Sequence, residues 1–163
     1  MPETSFAVTS ARPEDVPAIH AMVAELAEYE NLSHLCVSGI DDIARALFGP
    51  QQSVEVLLGA ENGEPVAFAL FFHTYSTFLG RRGLYLEDLF VRPPYRRKGY
   101  ARKLLAHLAA LAVERDCGRF EWAVLDWNAP AISFYQSLGA DVLPDWRITR
   151  VTGEALRRLA DGR

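Results

Sequence analysis

The stretch from Leu84 to Leu105, LYLEDLFVRPPYRRKGYARKLL, restricts the possible folds more than any other part of the chain. It begins as an apolar strand carrying two adjacent carboxylates, Glu87 and Asp88, and Pro93-Pro94 ends that strand because proline cannot donate to a ladder. A basic turn with a glycine follows (Arg96, Arg97, Lys98, Gly99). From Tyr100 to Arg115, Leu104, Leu105, Leu108, Leu111 and Ala112 then mark the apolar stripe of a helix. A strand that runs through such a turn into the positive end of a helix makes an anion site, because the first N–H groups of a helix have no intrahelical acceptor. Glycine at 99 and alanine at 101 let a ligand approach the main chain closely. A solvated basic turn before a helix explains the same six residues equally well.

Around this stretch the pattern alternates strand and helix. Phe6 to Thr9 reads as a short strand, and a helical period in Val16, Ile19, Val23, Leu26 and Ala27 predicts a helix from about 14 to Glu30. Ile40 to Phe48 is a second helix, closed by Gly49-Pro50. Val54 to Ala60 and Val66 to Tyr75 are rich in apolar, β-branched and aromatic residues, and the Asn62-Gly63 between them is a strong hairpin signal. After the long helix, with Gly118 expected at its C-terminal cap, come a strand over Phe120 to Leu125 and a short helix over Ala131 to Leu138 closed by Gly139. A last strand over Ile148 to Val151 and a terminal helix over Glu154 to Ala160 complete the chain. This order predicts an α/β fold with a mixed, mostly antiparallel sheet flanked by helices on both faces. No linker or repeat interrupts it, so residues 1–163 are expected to form a single domain.

Composition excludes several classes. Half of the 163 residues are hydrophobic, enough for a core without metals or disulfides. No apolar run approaches the roughly 20 residues of a membrane span, and the N-terminus lacks the blocks of a signal peptide, so a cytoplasmic location without membrane contact is expected. Cys36 and Cys117 lie far apart and outside any CxxC, and the four histidines show no ligand spacing, so no metal is expected. The net charge of −4 argues against a nucleic-acid partner. The local cluster Arg92, Arg96, Arg97, Lys98, Arg102 and Lys103, with Tyr95 and Tyr100, keeps a nucleic-acid-binding module as an alternative. GxxxxGK[ST], GxGxxG after a strand and GxSxG are all missing, which removes the main support for P-loop, Rossmann and serine-hydrolase readings.

The turn fits Arg/Gln-x-x-Gly-x-Gly/Ala and resembles the acetyl-CoA binding motif of the GNAT superfamily of N-acetyltransferases. Within it the chain resembles the diamine (spermidine/spermine) and thialysine N-acetyltransferases. The matching pieces, in order, are Glu25 to Glu30 (ELAEYE), Leu84 to Val91 (LYLEDLFV), Arg96 to Ala101, Trp127-Asn128 with Pro130, Phe134-Tyr135 before Gly139-Ala140, and Trp146-Arg147. The resemblance implies acetyl-CoA as co-substrate and, for the assembly, a homodimer. It implies that main-chain groups of Leu89, Phe90 and Val91 pair with the pantetheine arm like an added strand, one N–H steadying the oxyanion. The turn Arg96, Arg97, Lys98, Gly99, Tyr100, Ala101 and Arg102 would hold the pyrophosphate. Asn128, Ala129, Pro130 and Ala131 would contact the far side of the arm, with Tyr135 near the sulfur. On the acceptor side it implies Tyr29, Glu30, Glu87, Asp88 and Trp146.

Chemistry asks for the same kinds of group. An alkyl ammonium has a pKa near 10.4, so only about one molecule in 10³ is nucleophilic at pH 7. A carboxylate, directly or through water, can take the proton. Neighbours on a regular strand point to opposite faces, so without a bulge only one of Glu87 and Asp88 lines a pocket. The resemblance favours Glu87 as the base. Tyr135, a suitable donor to the leaving thiolate, also falls on a packing stripe with Ile132 and Leu138. Ser76 and Phe78 stand where a spermidine/spermine enzyme carries an aspartate and a tryptophan. That departure weakens long polyamines and leaves a short diamine or a thialysine-like amino acid at least as well supported. The expected activity is direct acetyl transfer from acetyl-CoA to a primary amine of a small molecule in one ternary complex. A protein or peptide amine, and a non-catalytic acyl-CoA-binding module, remain as alternatives.

Overall fold

The computed structural model describes residues 3–163, and the chain divides into two compact units, residues 1–123 and 124–163. The first unit is a five-stranded sheet in the order β1 (Phe6–Ser10), β2 (Glu55–Glu61), β3 (Glu64–Ser76), β4 (Arg81–Val91), β5 (Arg119–Trp122). The first four strands pair antiparallel, and β5 joins β4 in parallel through Gly83 to Leu86. Helix α1 (Val16–Tyr29) starts after a 3-10 turn at Pro13–Asp15, and Pro17 is tolerated in its first turn, where the N–H has no acceptor anyway. Helix α2 is Ile40–Phe48, begun by Gly39 N–H donating to Asp42 Oδ2 at 2.8 Å. Helix α3 is Tyr100–Glu114.

Two cores lie on the two faces of the sheet. On one, Val16, Ile19, Met22 and Leu26 of α1 and Ile43 and Leu47 of α2 pack with Val56, Leu58, Phe68 and Phe90. Phe71, three residues from Phe68, faces the other way. There Arg115, at the end of α3, lies 6.0 Å over its ring, and Leu104 and Leu108 of α3 are fully buried. Arg92 fastens α1 to the end of β4, its guanidinium 3.0 Å from Glu25 and 2.9 Å from Pro65 O.

The hairpin turn expected at Asn62-Gly63 is present, both residues in the left-handed region (φ 50° and 86°) as a type I′ turn requires. Four expectations need correction. Strand β4 starts at Arg81, because charged residues at a sheet's end carry no apolar signal. Strand β5 ends at Trp122 rather than Leu125: its parallel ladder stops at Leu86, immediately before a bulge in β4. The α3 cap is Asp116 (φ 55°), with Cys117 N–H reaching Ala112 O at 2.9 Å. Gly118 instead donates to Arg82 O at 2.8 Å. The strand expected at Ile148 to Val151 does not form, since no ladder pairs with it and alternation alone does not hold an isolated strand.

The second unit carries α4 (Ala129–Ser137) and α5 (Gly153–Ala160). Asn128 caps α4 by accepting from Ala131 N–H at 3.3 Å. At the other end Gly139, at φ 92°, lets Ala140 N–H return to Tyr135 O at 3.1 Å.

Candidate active site

The two carboxylates of β4 sit at an irregularity. Leu86 pairs with Phe71 and Asp88 with Leu70, so Glu87 is an extra residue with no partner on β3. Cross-strand partners share a face of the sheet. Tyr85 pairs with Phe72 and Asp88 with Leu70, two residues apart on β3, so Tyr85 and Asp88 share a face despite their odd spacing. That is the face covered by α1, because Leu70 packs against the core of Phe68 and Phe90. The bulge therefore puts Asp88 on the face of Tyr85, where a regular strand would set the two opposite.

The charges register this. Burial pushes the Asp88 carboxyl up to about 6, helped by the negative charges of Glu87 and Glu30. Glu30, at the C-terminal end of α1, is itself raised by burial. Tyr85 is raised by burial and by Glu87. Glu30 and Glu87 thus both fall within electrostatic reach of Asp88, with Glu87 exposed and Asp88 partly buried. Such a cluster binds cations and contains acceptors for protons.

Beyond Leu86 one edge of β4 has no strand partner among the described residues. Arg92 N–H donates to Val66 O of β3 at 2.9 Å, so by alternation Phe90 and Asp88 also turn their main-chain groups to β3. Leu89 and Val91 turn theirs to the open edge. Of the three residues expected to pair with an extended ligand, only these two present N–H groups there.

The turn after β4 has an anion-binding shape. Pro93–Tyr95 forms a 3-10 turn, and Arg97 (φ 63°) and Gly99 (φ 79°) are both left-handed. A non-glycine residue held in that region marks stored local strain, which concentrates at functional sites. From Arg97 to Arg102 no backbone N–H finds a backbone acceptor among the described residues, and the first helical bond closes only at Lys103 N–H to Gly99 O, 3.0 Å. A Cβ added at Gly99 meets nothing within 4 Å.

The basic side chains are less available than their sequence indicates. Lys98 Nζ is 2.7 Å from Glu61 Oε1, and the Tyr100 hydroxyl donates to the same oxygen. These bonds hold the Glu61 carboxyl below its usual range and push the Tyr100 phenol up to about 12. The Tyr100 ring stacks on Phe6 with centroids 3.8 Å apart. Glu61 is the site-shaping residue that sequence reasoning missed: it stands on β2, and no local signal ties it to a turn 37 residues away. Arg96 Nε donates to Val91 O at 2.8 Å, and Arg92 is paired with Glu25. Arg97, Arg102 and Lys103 form no ion pair among the described residues; the Lys103 ammonium lies 5.4 Å over the Phe6 ring, and the two arginines are left open to phosphate.

Tyr29 stands at the end of α1, half exposed, with the Arg96 guanidinium 4.7 Å over its ring. Tyr135, Asn128, Ala129, Pro130, Ala131 and Trp146 belong to the second unit. There the Asn128 Oδ1 and the Ala131 N–H are used by the α4 cap, and the rings of Phe134 and Tyr135 lie 5.6 Å apart. No group of three or more His, Cys, Asp or Glu able to hold a metal occurs among the described residues, and no described helix is long and apolar enough to cross a membrane.

Comparison with known proteins identifies the family. Residues 20–140 match the model of the acetyltransferase (GNAT) family. An L-ornithine N5-acetyltransferase of Arabidopsis thaliana is 35% identical, over 91% of this chain and 85% of its own length. A thialysine N-epsilon-acetyltransferase of Sus scrofa is 36% identical, over 96% of this chain and 98% of its own. Among solved structures, an integron cassette protein of V. cholerae superposes with a TM-score of 0.82 at 25% identity, covering 97% of this chain and 99% of that one. An aminoglycoside N-acetyltransferase solved with CoA superposes at 0.73 and 15% identity, over 93% of this chain and 98% of that one, a likeness of fold.

Proposed function

The chain belongs to the acetyltransferase (GNAT) family, and we propose that it transfers the acetyl group of acetyl-CoA directly to a primary amine of a small molecule. The acceptor is a short diamine, a polyamine or a thialysine-like amino acid, a class that includes ornithine. The observation that carries this reading is the β4 bulge, which turns Asp88 to the α1 face, within electrostatic reach of Glu87 and Glu30, on the strand whose edge is open. Relatives named for ornithine and thialysine support an acceptor with two amino groups.

The residues fit the co-substrate. The edge groups of Leu89 and Val91 match an amide-bearing arm, and the unpaired N–H groups from Arg97 to Arg102, with two open arginines, match a pyrophosphate. Acetyl-CoA supplies the activated acetyl group as a thioester. Asp88 and Glu30 hold the acceptor's ammonium charge. Glu87, exposed at the bulge, takes the amine's proton through water, turning the ammonium into the nucleophile. An edge N–H near Leu89 steadies negative charge on the carbonyl oxygen. Tyr135 provides the proton that the departing sulfur takes up, and the second proton, shed by the nitrogen as the amide forms, restores the phenol through water. No serine or cysteine is credibly placed as a covalent carrier, so amine and thioester meet in one ternary complex. A homodimer, implied by the resemblance, is part of this reading, and light scattering on the purified protein checks it.

Initial rates with both substrates varied test the mechanism. Intersecting double-reciprocal lines are expected. Parallel lines with a trapped acetyl-protein would sink direct transfer.

A further inference from the structure

Arg96 opens the phosphate turn, and by sequence it belongs with the cations that meet the pyrophosphate. Its side chain goes elsewhere. Nε donates to Val91 O at 2.8 Å, and Val91 O is one of the four main-chain groups on the open edge of β4. The guanidinium carbon lies 4.7 Å from the centroid of the Tyr29 ring and 5.6 Å from that of Phe90. A flat, delocalised cation is suited to bond a carbonyl with one edge while stacking on a ring with its face. One side chain thus spans the cofactor edge (Val91), the sheet core (Phe90) and the acceptor-side end of α1 (Tyr29).

We infer that Arg96 is a positioning residue that couples the acceptor site to the cofactor edge, and is not a phosphate ligand. This rests on the proposed acetyl transfer for the roles of Tyr29 and of the edge. Two consequences follow from the geometry. By occupying the Val91 carbonyl, Arg96 removes one acceptor from the edge and leaves the N–H groups of Leu89 and Val91 and the carbonyl of Leu89 for an incoming arm. By holding the Tyr29 ring, it fixes the end of α1 that carries Glu30, so the cationic acceptor and the cofactor arm are registered against the same guanidinium. Lysine offers no equivalent: its compact ammonium keeps the charge and loses the planar fork that serves both contacts.

The test separates the nucleotide from the arm. Binding of CoA and of 3′-phosphoadenosine 5′-diphosphate, its nucleotide half, is measured by calorimetry for wild type, Arg96→Met and Arg96→Lys. Amine KM is measured in parallel at saturating acetyl-CoA. Both variants are expected to bind the nucleotide within about twofold of wild type, to bind CoA severalfold more weakly, and to show an amine KM raised about tenfold, a coupling of about 1.4 kcal/mol. The effects of Tyr29→Leu and Arg96→Met on amine KM should combine to less than their sum, because both substitutions break one contact. If Arg96→Met weakens nucleotide and CoA equally while Arg96→Lys restores both, Arg96 is a phosphate ligand and the inference is wrong. Unchanged CoA affinity and amine KM in both variants would overturn it as well. Should wild type acetylate no amine, the acetyl-transfer reading fails on its own, and the two binding arms still decide whether Arg96 serves phosphates or the strand edge.

Discussion

Replacing Asp88 by asparagine should make the protein more stable and a poorer enzyme at once. Burial and the neighbouring Glu87 and Glu30 raise the Asp88 carboxyl from its ordinary 3.8 to about 6 in the folded state. Ionising it therefore opposes folding. The cost is absent below about pH 3.8, grows as pH rises between the two values, and is complete above about pH 6. At 1.36 kcal/mol per unit, the full cost is ~3 kcal/mol. Asparagine keeps the shape and removes the charge. At about pH 8 it should recover up to ~3 kcal/mol, and at about pH 5 roughly half of that. For a chain of this size 1 kcal/mol moves Tm by about 2–4 °C, so the gain at the higher pH is about 6–12 °C at most. Thermal unfolding of both proteins across that range reads it directly. In the same variant the acceptor's ammonium loses one carboxylate, and amine KM should rise about tenfold, the loss of ~1.4 kcal/mol, with acetyl-CoA KM unchanged. In the wild type, amine KM should climb as pH falls through about 6 and Asp88 takes up its proton. A Tm gain independent of pH, or an amine KM unmoved by the substitution, would refute the placement of Asp88 in a shared carboxylate cluster.

Glu87→Gln should cut kcat/KM by about 10²–10⁴, the usual contribution of a positioned base, and most at low pH, where few amines are already neutral. A ratio to wild type that stays flat across pH counts against Glu87 as the proton acceptor. Tyr135→Phe should lower kcat with little change in either KM, and an unaltered kcat removes it from the chemistry. Phe68→Ala, at a fully buried position between α1 and the sheet, should cost about 3–5 kcal/mol in chemical denaturation. A loss under 1 kcal/mol would mean the core is placed wrongly.

What was legible in the sequence was local. Asn62-Gly63 announced its hairpin because only a few residues tolerate two left-handed positions in succession. The bounds of α2 could be read from an apolar stripe closed by Gly49-Pro50. The strand–turn–helix from Leu84 to Leu105 was legible because proline, glycine and basic residues each limit the backbone in a different way. What depended on register was not legible. Which face Asp88 takes is decided by how β4 aligns with β3, and one inserted residue puts it on the face of Tyr85. The partners of the basic run were equally hidden. A lysine or arginine in a turn can meet phosphate, carboxylate or carbonyl, and the choice was made by Glu61 on β2 and by the Val91 carbonyl. The run Ile148 to Val151 had a strand's composition but pairs with no strand.

Acetyl transfer to a small amine is read from thiol release from acetyl-CoA with a panel of acceptors. Putrescine, spermidine, thialysine, ornithine, lysine and a short peptide are compared by kcat/KM. The largest values are expected for the short diamine or the thialysine-like amino acids, with the peptide and the long polyamine behind. Tight binding of acetyl-CoA with no thiol release above the blank for any amine in the panel would contradict the account.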